Sequence, residues 1–344
     1  MNDAVMIAMS GGVDSAVAAH LSLASGRACA GVTMQHFAGC GNKDATDAAA
    51  LCARLCIPHF TANLEKEFEK EVILPFIAAY EAGKTPNPCV ICNKKIKFGA
   101  LLDFARENGY GRIATGHYAR VERAGGRTLV RRAKDPAKDQ TYMLYSLTQD
   151  VLSSVEFPLG DLSKSEVREI AASLDFPMAQ KADSQDICFI PDGDYAAFIT
   201  RFTGKKYPVG SFLDMQGNVL GTHKGLLHYT IGQRKGLGIA LGAPAYVVSK
   251  SAADNTVTLG KNEDLFTTRL VAKSINLIPE DMLTAPRKLL AKVRYSQNAT
   301  LARVEQTGAD ELTVEFDTPQ RAVSAGQSLV LYEEDYLFGG GVIC

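Results

Sequence analysis

Two hydrophobic rhythms divide the chain. As far as residue 115, short unbroken apolar runs alternate with longer stretches whose apolar positions recur every three or four residues. The run AVMIAM at 4–9 predicts a strand, and the periodic stretch after it predicts a helix over 13–25. Further strands are expected over 28–34, 59–64 and 112–115, and helices over 44–56, 65–82 and 93–108. Unbroken apolar strands are covered on both faces, so this α/β alternation predicts a parallel sheet flanked by helices. Residues 118–132 change period: YARVER and TLVRRA read as a hairpin about Gly125-Gly126. Helices follow over 141–147, 163–174 and 194–202. From residue 204 helical spacing fades, and short β runs appear over 246–249, 256–259, 289–293, 312–316 and 328–332. The expected organisation is an α/β domain over 1–202, a small central domain over 203–262 and a C-terminal β-barrel over 263–344.

Composition narrows the function. The 344 residues are 46% hydrophobic and 22% charged with net charge -1, an ordinary globular balance. No apolar run approaches the ~20 residues that cross a bilayer. The start, MNDAVMIAMSGG, has neither a basic leader nor a cleavage site, so a cytoplasmic location without a membrane partner is expected. There the eight cysteines stay reduced. A neutral chain binds nucleic acid only through local patches. Two are candidates: Arg120, Arg123, Arg127, Arg131, Arg132 and Lys134 on the hairpin, and Lys205, Lys206, Lys224, Arg234, Lys235, Lys250 and Lys261 in the central domain. Any one of these is ordinarily just a solvated charge. Their clustering favours RNA. Tyr229 reads equally as an RNA neighbour or a packing residue.

The strongest motif is Ser10-Gly11-Gly12-Val13-Asp14-Ser15, between the first strand and the first helix. Two glycines let backbone N–H groups converge, and the helix adds its open N–H groups and positive dipole end. Ser10 and Ser15 add hydroxyls. The result is a phosphate cradle that lacks the Gly-Lys-Ser/Thr of a Walker loop and the spacing of a dinucleotide fingerprint. Asp14 beside a polyphosphate implies Mg²⁺. A bare strand–helix turn is the bland alternative, and the full hexapeptide outweighs it.

Cys89 and Cys92 form a C-x-x-C after Thr85-Pro86-Asn87-Pro88, a stretch whose prolines predict a rigid loop. Placed at the entrance of a helix bearing Lys94, Lys95 and Lys97, these thiols are expected to have lowered pKa values. Zinc, a redox dithiol and part of an Fe–S site all fit such a pair. Cys188, in DSQDICFI, is either a core residue or a third member. Cys29, Cys52 and Cys56 read as core, Cys40 as exposed and Cys344 as frayed.

SGGVDS, TPNPCVICNKKIKF, ATGHYAR, KDQTYMLY, DSQDICFI and HYTIGQRKGLGI occur in that order. Together they resemble the tRNA-specific 2-thiouridylases, ATP-pyrophosphatases of the PP-loop superfamily, over almost the whole chain. The resemblance implies an N-terminal domain of the adenine nucleotide α-hydrolase type. It implies ATP-dependent replacement of the C2 oxygen of the wobble uridine (U34) of Lys, Glu and Gln tRNAs by sulfur, with a sulfur-donor protein as partner. It implies that Ala8, Met9, Ser10, Gly11, Gly12, Val13, Asp14, Ser15, Met34 and Gly116 hold ATP with Mg²⁺. Asn87, Pro88 and Cys89 would meet the target base. His117, Lys138, Asp139, Gln140, Arg294, Tyr295 and Gln327 would meet tRNA. Cys92 would be the catalytic cysteine of the loop and Cys188 the persulfide carrier, with Cys92 either resolving the persulfide through a disulfide or assisting its activation directly.

One departure stands out. Many members of that family have Asp, assigned acid–base work, where this chain has Cys89. Cys89, Cys92 and Cys188 thus form a candidate ligand set for a [4Fe–4S] cluster as an alternative to the persulfide route. Two other functions share some of these features. One is a PP-loop synthetase forming an amide on a small acceptor, which leaves the cysteines unexplained. The other is a non-catalytic tRNA- or Fe–S-binding protein, which leaves the intact phosphate loop unexplained.

Overall fold

The computed structural model describes residues 3–37, 42–176 and 187–344. Cys40 and residues 183–186 of the DSQDICFI motif lie outside them. Strands β1 (Val5–Ala8), β2 (Cys29–Gln35), β3 (His59–Asn63) and β4 (Arg112–Ala114) are all parallel. With the later β7 (Val155–Glu156) they form a sheet in the order β3-β2-β1-β4-β7. The chain runs outward from β1 through β2 to β3, then returns to β1's other side as β4. That reversal opens a crevice beyond the carboxyl ends of β1 and β4, where open α/β sheets take their ligands. Helices Val13–Ala24 and Lys164–Ser173 pack together over one face.

Residues 65–81 and 88–107 form two long helices, each with a π-helical middle, Glu69–Ile73 and Asn93–Ala100. The second corrects the expected helix over 93–108. It begins at Pro88, so Cys89 and Cys92 lie in its first turns, not in a rigid loop. Asn87 caps it, its Oδ1 accepting from Cys89 N at 3.1 Å, and Pro88 fills the first position, where no N–H is needed. Ile96, Phe98 and Leu101 on this helix are fully buried. At ~1.5–3 kcal/mol for each such side chain, they fix the face on which the cysteines stand. The expected helix over 141–147 is a single 3₁₀ turn, Thr141–Leu144.

The hairpin of β5 (Ala119–Ala124) and β6 (Arg127–Arg132) leaves the first domain to join the C-terminal sheet, Tyr336 pairing with Arg131. The central unit is a four-stranded sheet, β10-β11-β8-β9, from β8 (Gly210–Leu213), β9 (Val219–His223), β10 (Tyr246–Ser251) and β11 (Thr256–Gly260). Tyr229 is buried in its core against Phe212 and His223, a packing residue. The C-terminal unit comprises β12 (Phe266–Leu277), β13 (Arg287–Lys292), β14 (Thr300–Gly308), β15 (Glu311–Arg321), β16 (Ser328–Glu333) and β17 (Tyr336–Ile343). It closes into an antiparallel barrel because β17 pairs with both β16 and β12.

Cys29 and Cys52 are buried, but Cys56, expected in the core, is exposed with φ 54, beyond the end of its helix. No helix among the described residues is long and apolar enough to cross a membrane.

Candidate active site

The phosphate loop sits at the crevice. Gly11 has φ 67, a conformation glycine adopts without a Cβ clash. Ser10 N donates to Ser15 Oγ at 3.2 Å, and Ser15 Oγ donates to Gly12 O at 3.0 Å, so the two serines lock the turn. Gly12 caps the following helix without a side-chain hydrogen bond, which leaves the first helical N–H groups facing the cradle. From β4, Gly116 packs directly on the loop. A Cβ there would lie 2.9 Å from the Asp14 carbonyl carbon and 3.0 Å from Ser15 N. The glycines of both strand ends therefore shape one concavity.

Sequence reasoning missed the partners of Asp14. Lys164 Nζ donates to both its carboxylate oxygens, at 2.7 and 2.8 Å, and Tyr118 Oη donates at 2.7 Å. Lys164 is 11% exposed. Asp14 thus has a protein counter-ion as well as the hard oxygens a Mg²⁺ takes. A lysine directly after Ser163, with Glu166 three residues beyond it completing a capping box, was the available signal, since that pattern places Lys164 at a helix start.

His117 follows Gly116 and is buried, packed against Phe98 of the cysteine helix at 5.7 Å and Phe157 at 5.9 Å. Its Nδ1 lies 2.7 Å from Thr115 Oγ1. Burial depresses its pKa well below the usual histidine value. The Phe98–His117 contact brings the cysteine helix to the end of β4, beside the loop.

Both thiols depart from expectation. Burial pushes Cys92 up to about 11, and Cys89, exposed by area yet crowded by neighbouring atoms, is also raised. Lys97 only partly opposes this. Lys94 and Lys95 point outward, Lys95 towards Glu71 at 3.7 Å. The helix-entrance argument fails because removal from water outweighs one half-buried ammonium. Cys188 is exposed, its Sγ 3.6 Å from His36 Nε2, while His36 Nδ1 lies 3.4 Å from the Met34 carbonyl. Among the described residues no three Cys, His, Asp or Glu side chains gather as a metal site. Cys89, Cys92 and Cys188 as they stand do not form the cluster's ligand set.

The segment bearing Asn87, Pro88 and Cys89 is held from three sides. Gln327 Nε2 donates to Thr85 O at 2.7 Å, and Thr85 N donates to Ala325 O at 2.9 Å. Asn87 Nδ2 reaches Met143 Sδ, and Asn93 Nδ2 donates to Met143 O at 3.2 Å. Tyr295 Oη donates to Asp139 O at 3.3 Å, tying the barrel to Lys138-Asp139-Gln140. Asp139 itself accepts from Ala133 N and Thr141 Oγ1, and Gln140 Oε1 accepts from Tyr118 N. Arg294 Nη2 donates to Ile231 O, Ala322 O and Ser324 Oγ, joining the central domain to the barrel. Most of these polar ends build the site's frame; Tyr295 is exposed and Lys138 half-buried.

The hairpin arginines are a correction. Arg131 pairs with Asp335 at 2.7 Å, Arg120 with Asp335 at 3.3 Å and Arg127 with Asp281 at 3.0 Å, while Arg132 lies 4.1 Å over the Tyr332 ring. Lys134 meets Glu166 at 2.9 Å. These cations stitch the α/β domain to the barrel and to itself, so the patch is largely neutralised. Lys206, Lys224, Arg234, Lys235 and Lys261 of the central domain remain exposed, whereas Lys205 pairs with Glu81 and Lys250 Nζ donates to Tyr229 O.

Comparison with known proteins divides the chain into three matches: a tRNA methyl transferase HUP domain over residues 3–192, a tRNA methyl transferase PRC-barrel domain over 196–261 and an aminomethyltransferase beta-barrel domain over 267–343. The chain is 46% identical over 350 residues to the tRNA-specific 2-thiouridylase MnmA of Clostridium kluyveri, covering 98% of each protein. It belongs to the tRNA-specific 2-thiouridylase family. Similar relatives include tRNA-specific 2-thiouridylase MnmA 1 of Clostridium tetani, 47% identical across 100% of this chain and 97% of that one. The MnmA of Lachnoclostridium phytofermentans is 44% identical across 98% and 99%. Membership in a 2-thiouridylase family makes this chain a tRNA sulfurtransferase, not the amide-forming synthetase or passive scaffold.

Proposed function

We propose that this enzyme uses ATP and Mg²⁺ to replace the C2 oxygen of the wobble uridine (U34) of Lys, Glu and Gln tRNAs with sulfur from a donor protein. The observation that carries the reading is that the helix bearing the two thiols packs, through Phe98 on His117, at the carboxyl end of β4 beside the phosphate loop. Residues 8–15 with Met34 and Gly116 hold the nucleotide, and Asp14 supplies oxygen to the Mg²⁺ that accompanies it. The uracil C2 oxygen attacks the α-phosphorus and pyrophosphate departs, turning a poor leaving group into AMP. Asn87, Pro88 and Cys89 frame the base, and His117, Lys138, Asp139, Gln140, Arg294, Tyr295 and Gln327 shape the RNA-facing surface around it. An unpaired anticodon base is swung into such a pocket at modest cost.

Cys188 carries the sulfur as a persulfide. Its terminal sulfur attacks C2 and expels AMP; Cys92 then attacks Cys188, leaving 2-thiouridine and a Cys92–Cys188 disulfide that external thiols reduce. The exposed position of Cys188 suits loading by a donor protein. The persulfide route needs only Cys92 and Cys188 to approach during turnover, whereas a cluster needs all three thiols gathered at once, an arrangement absent among the described residues. Anaerobic reaction with ATP, tRNA and a persulfide donor, followed by mass analysis of the anticodon nucleosides, tests the reading. Oxygen-to-sulfur exchange at U34 is expected, and Cys92→Ala and Cys188→Ala should each abolish it while tRNA binding persists. AMP release with no sulfur in the uridine overturns it.

A further inference from the structure

The reaction proposed above brings two anions together. The adenylated uracil carries a charged phosphodiester, and the attacking persulfide sulfur is itself anionic. In a site screened from water a fixed cation between them acts far more strongly than in bulk solvent.

Lys97 adjoins Phe98 on the cysteine helix, and the Phe98 ring packs on His117 at 5.7 Å beside the phosphate loop. Lys97 lies five residues beyond Cys92 within the π-helical segment Asn93–Ala100, whose i to i+5 turns bring residues at that spacing to one face. Lys94 and Lys95 on the same helix are exposed, whereas Lys97 is half-buried between the fully buried Ile96 and Phe98, which fix its backbone. Among the described residues no carboxylate pairs with it. Its charge bears on four groups: it counters the rise of the Cys89 and Cys92 thiols and opposes protonation of His36 and His117. Those groups border both halves of the site. His117 follows Gly116, which packs on Asp14 and Ser15, and His36 lies 3.6 Å from the Cys188 sulfur.

We propose that Lys97 is a catalytic residue whose ammonium lies against both the incoming sulfur and the departing phosphate. The assignment rests on the thiolation reading. As the sulfur–C2 bond forms, the C2–O bond breaks and its electron pair leaves on the AMP phosphate; Lys97 remains charged throughout and gives up no proton.

The test uses the full-length enzyme with Lys97→Met, Lys97→Gln and Lys97→Arg. Single-turnover thiolation is measured at saturating ATP and tRNA, beside tRNA binding and thermal melting. Lys97→Met and Lys97→Gln should melt and bind tRNA as the wild type does, yet thiolate at least about 100-fold more slowly, the scale of losing one fixed transition-state charge or donor. Lys97→Arg should recover most of the lost rate. Thiolation at wild-type rate in either neutral variant overturns the assignment. So does a loss matched by an equal loss of tRNA affinity or of folding in both, which would make Lys97 an RNA contact or a structural residue. A wild-type enzyme that makes no 2-thiouridine instead overturns the thiolation reading, and this assignment with it.

Discussion

Gly116→Ala tests whether the loop after β4 shapes the nucleotide cradle. Gly116 does not have a positive φ, so alanine can adopt its backbone conformation and the effect comes from contact alone. The new methyl would stand 2.9 Å from the Asp14 carbonyl carbon and 3.0 Å from Ser15 N, all backbone atoms of the phosphate loop. Carbon contacts settle near ~3.5–4.0 Å, so one strand end must retreat by at least about half an ångström. Overpacking of this size costs ~1–3 kcal/mol. Falling on the ATP-bound geometry, that lowers kcat/KM for ATP by roughly 5- to 150-fold. Pyrophosphate release at varied ATP, with tRNA saturating, gives the parameter directly, and tRNA affinity should fall far less, because His117 alone of the RNA-facing residues adjoins Gly116. An unaltered kcat/KM for ATP would refute the placement of Gly116 against bound nucleotide.

Lys164→Met leaves Asp14 with Tyr118 alone. Asp14 is 32% exposed, so the coupling energy in a double-mutant cycle with Asp14→Asn should be ~1–2 kcal/mol, below the value for a fully buried pair; urea melts showing additivity would contradict it. Burial holds the Cys92 thiol at about 11, above its unfolded value, so between that value and about 11 the unfolded thiol ionises while the folded one does not, and stability falls as pH rises. Iodoacetamide labelling of Cys92 in the resting enzyme should therefore still be accelerating at pH ~9.5, and a plateau near the ordinary thiol value of ~8.5 would sink the claim. Arg294→Met removes the donor to Ile231 O, Ala322 O and Ser324 Oγ, and should cost ~2–3 kcal/mol with a lowered Tm; an unchanged melting curve would show the staple to be idle.

The parallel sheet was legible because its strands are unbroken apolar runs, and the phosphate loop because the whole hexapeptide Ser10–Ser15, not the glycine pair alone, lies between a strand and a helix. The barrel was only half legible. β12 and β14 alternate polar residues with apolar ones and carry lysine, arginine and threonine on their outer faces. β17 contains Gly339, Gly340 and Gly341, residues depleted in strands, yet a Cβ at Gly340 would collide with the Leu329 carbonyl of the adjoining strand. The hairpin arginines were visible as charges, but their partners Asp281 and Asp335 lie far along the chain, and no local pattern announces such pairing. The cysteine environment failed for the same reason: spacing gives the lysines, while desolvation is set by the fold around them.

The grip of Gln327 and Ala325 on Thr85 has a consequence for the order in which the enzyme matures. The sheet that grasps the nucleotide is assembled from the first half of the polypeptide. The stretch carrying Cys89, although made early, lacks its outer clasp until the last strand seals the cylinder against β12. The cysteine segment therefore reaches its final setting only once residues 325–327 have been made, whereas the phosphate loop is complete with the first sheet.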